Sequence, residues 1–130
     1  MRSTTTVRTT VLAMVVTLLT AGALGTAGPV AAAVQPRLGP CETGQLCLWS
    51  NEQFRGGRQT YELAGVDIDS CVPLPAGTSA ASLANRTGRP VTTYQSAECA
   101  ETGEFETYPG GGTWVPQSPY QVRAFKVWEN

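Results

Sequence analysis

The sequence predicts an all-β domain, a sandwich cross-linked by disulfides, for the part of the chain that follows residue 33. Three observations favour this fold class. No stretch after Cys41 places apolar residues at the spacing of an amphipathic helix. Short segments rich in β-branched and aromatic residues recur between clusters of Gly, Pro, Ser and Asn. The same part of the chain contains an even number of cysteines, as is typical of small exported domains.

The first 33 residues have the features of a secretory signal peptide. Arg2 and Arg8 precede an apolar run from Val11 to Leu24, and Ala31–Ala33 supplies small residues for cleavage after Ala33. As a helix the run would be about 21 Å long, less than the roughly 30 Å hydrocarbon core. We therefore expect a secreted protein without a stable membrane anchor, an uncleaved tether being the alternative. Residues 34–40 are expected to form an irregular lead-in, and residues 41–130 the domain.

Composition excludes several classes of function. The 130 residues include nine basic and ten acidic ones, a formal net charge of −1, so no basic surface for nucleic acid is expected. Histidine is absent and Lys126 is the only lysine. This excludes Ser-His-Asp and Cys-His catalysis and zinc sites that depend on histidine. Enzymes that use a carboxylate pair, and proteins that act by binding, remain open.

The four cysteines, Cys41, Cys47, Cys71 and Cys99, are expected to form two disulfides. Three pairings are possible. Cys41 and Cys47 are too close in sequence to reach different ends of a fold, so we favour Cys41 with Cys47 and Cys71 with Cys99. A zinc site is the alternative, but the chain lacks a C-x-x-C pair.

Seven short strands are expected, and the turn signals between them are typical of a sandwich or barrel. Their ranges are Leu46–Trp49, Gln59–Leu63, Ser82–Asn85, Val91–Tyr94, Phe105–Tyr108, Thr113–Val115 and Val122–Val127.

The sequence also contains an internal repeat. Residues 48–54 can be laid on residues 93–99 without a gap, so that Trp49 meets Tyr94, and each half then closes with a further strand, 82–85 or 121–124. Two units of about 40 residues and four strands each are what a pair of Greek keys requires.

A family resemblance is visible at these residues. Trp49, Phe54 and Gly56 have the spacing of the βγ-crystallin signature, in which the glycine permits a folded hairpin that brings two aromatics together. The wider arrangement from Cys41 to about Val127 resembles the secreted bacterial peptidase inhibitor family 36, of the streptomycete metalloproteinase inhibitor type. The second half departs from the signature, because Cys99 and Glu101 stand where an aromatic and a glycine would be.

The resemblance implies a secreted, monomeric inhibitor of an extracellular protease, expected to be a metalloprotease, that uses a rigid substrate-like loop. A loop already held in the shape that the protease requires loses little conformational entropy on binding. The implied reactive bond is Cys99–Ala100. A second cysteine closes a small ring in the related inhibitor, whereas this chain has Glu104 at that position.

Metal binding and catalysis are not expected. Residues 77–82 and 117–122, where related domains bind calcium, lack an acidic pair. Glu98, Glu101, Glu104 and Glu106 are expected to form a solvated face. Glu104 and Glu106 could share one face of a strand, as a glycosidase pair must, but so small a domain has little volume for a walled cleft. We therefore expect no enzyme activity, no metal and no cofactor.

The alternative function is a binding or adhesion module of the cell envelope, with a sugar or protein ligand. Aromatic side chains would make the contacts, and Trp114 is the candidate contact residue because it follows the glycine-rich segment 109–113 and is expected on an exposed turn. The other aromatics of this hypothesis are Trp49, Tyr108, Tyr120 and Trp128.

Overall fold

The computed structural model describes residues 38–130, so the predicted signal segment 1–33 lies outside the described residues. The described part contains eight strands and one short 3-10 helix, Leu63–Gly65. The strands are β1 (Gln45–Asn51), β2 (Arg55–Glu62), β3 (Val72–Pro73), β4 (Ser82–Asn85), β5 (Val91–Tyr94), β6 (Phe105–Tyr108), β7 (Thr113–Val115) and β8 (Ala124–Val127). In residues 38–130 no helix has the length and apolar character needed to span a membrane.

The strands form two four-stranded antiparallel sheets, which confirms the all-β fold class. The strand order is β2-β1-β4-β7 in the first sheet and β3-β8-β5-β6 in the second. Strands β1 to β4 and β5 to β8 are the two halves of the chain, and each half gives its third strand to the other half's sheet. Neither sheet is therefore complete without both halves.

Apart from shifts of one or two residues at both ends of β1 and at the end of β2, the strands differ from the sequence prediction in three ways. β2 begins at Arg55 rather than at residue 59, and β3, which was not predicted, consists of two residues at a sheet edge. The last strand begins at Ala124, because Val122 only bridges to Ala80 and the chain runs beside β5 from Ala124 onward. The closing strand of the second half is therefore 124–127, and its prediction at 121–124 was wrong.

Apolar side chains are buried in three clusters. The largest lies between the sheets, a second includes Cys41, Cys47, Trp49 and Ala84 of the first sheet and its lead-in, and a third includes Tyr94, Cys99 and Ala124 of the second. Successive residues of a strand point to opposite faces, so neighbours in β1 contribute to two different clusters. This explains why residues 46–49 are all buried and form a continuous apolar run.

The two disulfides join Cys41 with Cys47 and Cys71 with Cys99, the pairing that the sequence favoured. All four cysteines of the chain are used. The first bridge closes a short ring at the start of the first half. The second bridge connects the first half with the segment that joins β5 to β6.

The β1–β2 hairpin brings the two signature aromatics into contact. The ring centroids of Trp49 and Phe54 are 5.2 Å apart in an edge-to-face arrangement. Ser82 Oγ accepts a hydrogen bond from the Phe54 N–H (3.0 Å) and donates one to the Asn51 carbonyl (2.6 Å). The hairpin has the expected folded form, while its likeness to crystallins and the Greek-key description stay predictions.

Candidate functional site

The connection between β5 and β6 contains the bond that the resemblance implies is reactive. This connection spans residues 95–104. Its base is closed by the Gln95 N–H, which donates to the Glu104 carbonyl (2.9 Å), and by the Glu104 N–H, which donates to the Gln95 side chain (3.2 Å). The Arg123 guanidinium also donates to the Gln95 carbonyl (3.3 Å). The ends of the connection are therefore fixed by hydrogen bonds to main-chain groups.

Cys99 lies within a turn of this connection. Its N–H donates to the Ser96 carbonyl (3.2 Å), its side chain is 7% exposed, and its φ of 58° is left-handed. An extended segment in a protease cleft has negative φ values. The Cys99–Ala100 bond thus lacks the extended shape that a substrate-like role requires, because Cys99 is anchored to the second sheet through the disulfide. Its role as the reactive bond stays a prediction.

The conformation of Cys99 follows from the internal repeat. Phe54, the residue that the repeat places opposite Cys99, has a φ of 59°. Trp49 pairs with the first residue of β4, and Tyr94 pairs with the first residue of β8. Cys99 therefore packs beside Tyr94 in the same cluster, as Phe54 packs beside Trp49. A disulfide has replaced the second aromatic of the signature.

Phe105 follows the connection and is an exposed apolar residue at a sheet edge. Its side chain is 44% exposed. The ring stacks on Tyr94, with ring centroids 5.9 Å apart and an interplanar angle of 26°. β6 pairs with β5 on one side and ends the second sheet on the other. This position combines a fixed aromatic ring with an open strand edge.

Four acidic residues lie close to Phe105 in the sequence, and one basic group, Lys126 Nζ, lies 5.8 Å from the centroid of the Tyr94 ring that Phe105 stacks on. Glu98, Glu101 and Glu104 lie on the connection, Glu106 lies on β6, and all four are exposed. Within residues 38–130 no cluster of three or more potential metal ligands was found. Glu104 and Glu106 are also absent from the linings of the grooves at residues 74–79 and 110–112. The four carboxylates are therefore solvated.

Trp114 does not lie on an exposed turn. It belongs to β7 and is half-buried, packed beside the Cys41–Cys47 cluster. Its indole N–H donates to the Gly39 carbonyl (2.9 Å), and the Arg86 guanidinium lies 5.7 Å from the ring centroid. These contacts exist because the lead-in folds over the first sheet. The Trp114 ring is therefore packed against the domain, whereas the sequence predicted an exposed position for it.

The other aromatics of the adhesion hypothesis are also committed to internal contacts. Trp49 is 4% exposed. The Tyr120 hydroxyl lies 2.9 Å from Thr93 Oγ1, and the Trp128 indole N–H donates to Thr92 Oγ1 (2.7 Å). Burial, with smaller contributions from Tyr120 and Glu106, raises the pKa of Tyr108 to about 12. These hydrogen bonds, the burial of Trp49 and the partial burial of Tyr108 fix the rings against the rest of the domain, while a contact role for them stays a prediction.

Comparison with known families connects this geometry to a function. Residues 35–107 match the model of Peptidase inhibitor family I36, which is more than half of the chain. The chain belongs to peptidase inhibitor family I36. No significant match was found among curated proteins or among solved structures. The matched range contains the signature hairpin, both disulfides and the 95–104 connection, and it ends at the third residue of β6.

Family membership gives the coarse function, a peptidase inhibitor whose partner is a protease. Sequence reasoning placed the partner's contact at Cys99–Ala100, which stays a prediction, and did not single out Phe105, which the structure places exposed at a sheet edge. One signal was available, since Phe105 is an aromatic flanked by Glu104 and Glu106. A large apolar residue between two charged neighbours is unusual for a buried strand and is compatible with a strand at an edge.

Proposed function

We propose that the domain inhibits an extracellular metalloprotease by placing the preformed β5–β6 hairpin, residues 91–108, in the enzyme's substrate cleft. The observation that carries the proposal is the double restraint on this hairpin. A main-chain hydrogen bond closes the connection at Gln95 and Glu104, and the Cys71–Cys99 disulfide fixes its middle. The family match covers this region and supports a protease as the partner.

The restraint matters because a flexible inhibitor must become ordered when it binds. Fixing one residue's backbone costs roughly 1–2 kcal/mol, so ordering a free ten-residue segment would cost on the order of 10 kcal/mol. In this hairpin the loss of conformational entropy occurs when the domain folds and not when it binds the protease. More of the interaction energy with the protease is then available as affinity.

The proposal is tested by titrating proteases with the oxidised protein from residue 34 to residue 130. Thermolysin-like, subtilisin-like and trypsin-like enzymes form the panel, and we expect stoichiometric inhibition of the metalloprotease. Replacing Cys71 and Cys99 together by Ser should weaken inhibition, while Trp114→Ala, which alters the opposite sheet, should preserve it. Absence of inhibition of every protease at micromolar concentration would refute the proposal.

A further inference from the structure

We propose that Phe105 is the residue that anchors the inhibitor in the protease, with residues 104–107 bound as an added strand along the cleft. This inference rests on the proposed function and specifies the segment that makes the contact. The partner would be a protease with a deep apolar pocket for a large side chain beside the bond that it cleaves.

The exposure of Phe105 distinguishes it from the other apolar side chains. Among large apolar residues in 38–130, the exposed ones are Leu38, 57% exposed, and Phe105, 44% exposed. Leu38 lies three residues before Cys41 and outside regular secondary structure. Phe105 lies in a strand, and its ring rests on Tyr94, which is 1% exposed. One face of the ring is therefore held by the protein while the rest is available to a partner.

Anchors of this kind carry a large share of the energy in protein interfaces. Interface residues that contribute most are often aromatic and fill pockets from which water is excluded. A ring that is already stacked loses little side-chain entropy on binding. Phe105 has both properties, whereas Ala100 is small and follows a buried cysteine in a turn.

The backbone of β6 is suited to the same contact. In an antiparallel pair, residues that exchange hydrogen bonds alternate with residues that do not. The Gln95 N–H donates to the Glu104 carbonyl, and Phe105 lies opposite Tyr94, so Phe105 and Thr107 direct their N–H and C=O groups away from β5. These groups face the open edge of the second sheet. An edge of this kind can pair with a strand of another protein.

The charges near Phe105 indicate which protease clefts could accept this strand. The connection presents Glu98 and Glu101 before the anchor, and Glu104 and Glu106 lie on the face of the strand opposite to Phe105. One basic group, Lys126 Nζ, lies 5.8 Å from the centroid of the Tyr94 ring on which Phe105 stacks, so acidic groups still outnumber basic ones near this strand. A cleft with several exposed carboxylates would repel this surface, because like charges at an interface oppose association. The inference therefore favours a protease whose cleft is neutral or basic around the apolar pocket.

The test compares inhibition constants of Phe105 variants against a thermolysin-like metalloprotease. We expect Phe105→Ala to raise the inhibition constant by about 30-fold or more, as for other interface anchors, and Phe105→Leu to change it by only a few-fold. Leu38→Ala, which removes the other exposed apolar side chain, is the matched control and should have no effect. Ala100→Asp tests whether the protease contacts the Cys99–Ala100 bond instead of Phe105. We expect this variant to change the inhibition constant little.

Amide exchange in the wild-type complex provides a measurement that does not depend on whether a variant folds. The amides of Phe105 and Thr107 should exchange more slowly in the complex than in the free inhibitor. Full inhibition by Phe105→Ala, or unchanged exchange at both amides, would overturn the assignment of Phe105 while leaving the proposed function in place. Failure of the wild-type protein to inhibit any protease would instead remove the proposed function itself.

Discussion

Gly56 and Gly57 are neighbours at the start of β2, but the backbone conformation requires a glycine only at position 56. Gly56 has a φ of 84°, and a Cβ atom at this position would overlap Ser50 Oγ and crowd the Asn51 side chain. A Cβ atom on Gly57 would meet nothing within 4 Å. The signature glycine therefore allows the hairpin to fold back toward Trp49.

We expect Gly56→Ala to lower the free energy of unfolding by at least about 1–2 kcal/mol, the usual penalty for a left-handed alanine, with more from the overlap. For a domain of this size, each kcal/mol corresponds to a fall in Tm of roughly 4–8 °C. Gly57→Ala is the control and should keep the wild-type Tm. Equal losses for the two variants, measured by thermal unfolding, would show that the hairpin does not depend on the left-handed position.

The raised pKa of Tyr108 predicts that the stability of the domain falls at alkaline pH. Burial is the main cause that raises its pKa from 10.0 to about 12, and burial also raises the pKa of Tyr61, Tyr94 and Tyr120. A raised pKa in the folded state means that the neutral phenol is favoured by folding. The corresponding stability is fully present below pH 10 and is lost as pH rises toward 12.

Spectroscopic titration can measure this effect. We expect absorbance at 295 nm to show tyrosine ionisation above pH 10, accompanied by loss of the β-sheet circular dichroism signal. Tyr108→Phe should reduce the decrease in stability between pH 10 and pH 12, because it removes one group whose ionisation opposes folding. Ionisation of all four tyrosines at pH 10 in a folded protein would contradict the raised pKa of these side chains.

The two disulfides differ in the length of chain that they enclose. The Cys41–Cys47 bridge has a sequence separation of 6, and the Cys71–Cys99 bridge has a separation of 28. A longer ring removes more conformational entropy from the unfolded chain. The second bridge also lies beside Tyr94, so it contributes both to stability and to the shape of the proposed binding segment.

Replacing Cys71 and Cys99 together by Ser should cost about 3.6 kcal/mol, and replacing Cys41 and Cys47 together should cost about 2.4 kcal/mol, by the loop-closure relation. Denaturant unfolding of the two double variants measures the difference. Only the Cys71/Cys99 variant is also expected to inhibit more weakly, because the other bridge lies over the first sheet. A larger loss of stability in the Cys41/Cys47 variant would contradict the loop-length argument.

Some of these elements could be predicted from sequence because a local pattern specifies them. β1 is a short apolar run, and Cys41 and Cys47 are too close in sequence to lie far apart in the fold. The internal repeat aligned Tyr94 with Trp49. The structure agrees, because Trp49 pairs with the first residue of β4 and Tyr94 pairs with the first residue of β8. Local patterns were therefore sufficient for the fold class and for the disulfide framework.

Other features depend on contacts between distant segments, and the sequence gives little sign of them. β3 is two residues long and exists only because β8 pairs with it. Trp114 was expected to be exposed because glycines precede it, but the lead-in supplies a carbonyl group to its indole N–H from 75 residues away. The left-handed turn at Cys99 and the exposed edge position of Phe105 were not predicted for the same reason, since both depend on the pairing of β5 with β6.

The exchange of strands makes the whole domain one folding unit. β3, from the first half, lies beside β8, and β7, from the second half, lies beside β4. The central cluster draws on both halves, since Leu46 and Leu48 pack with Phe125 and Val127. Separating the halves would expose this cluster and leave each sheet without one strand.

Neither half should therefore fold alone. We expect fragments 38–88 and 89–130 to be unfolded when separate, with little dispersion in their amide NMR spectra, because each lacks half of the central cluster.

The intact domain should unfold in one transition, with equal calorimetric and van't Hoff enthalpies. The Cys71→Ser/Cys99→Ser double variant is a useful control, since it removes the disulfide between the halves while keeping the exchanged strands, and its transition should remain single at a lower temperature. A dispersed spectrum from either fragment, or two separate transitions in the intact protein, would mean that the halves are independent and that the exchanged strands contribute little to their stability.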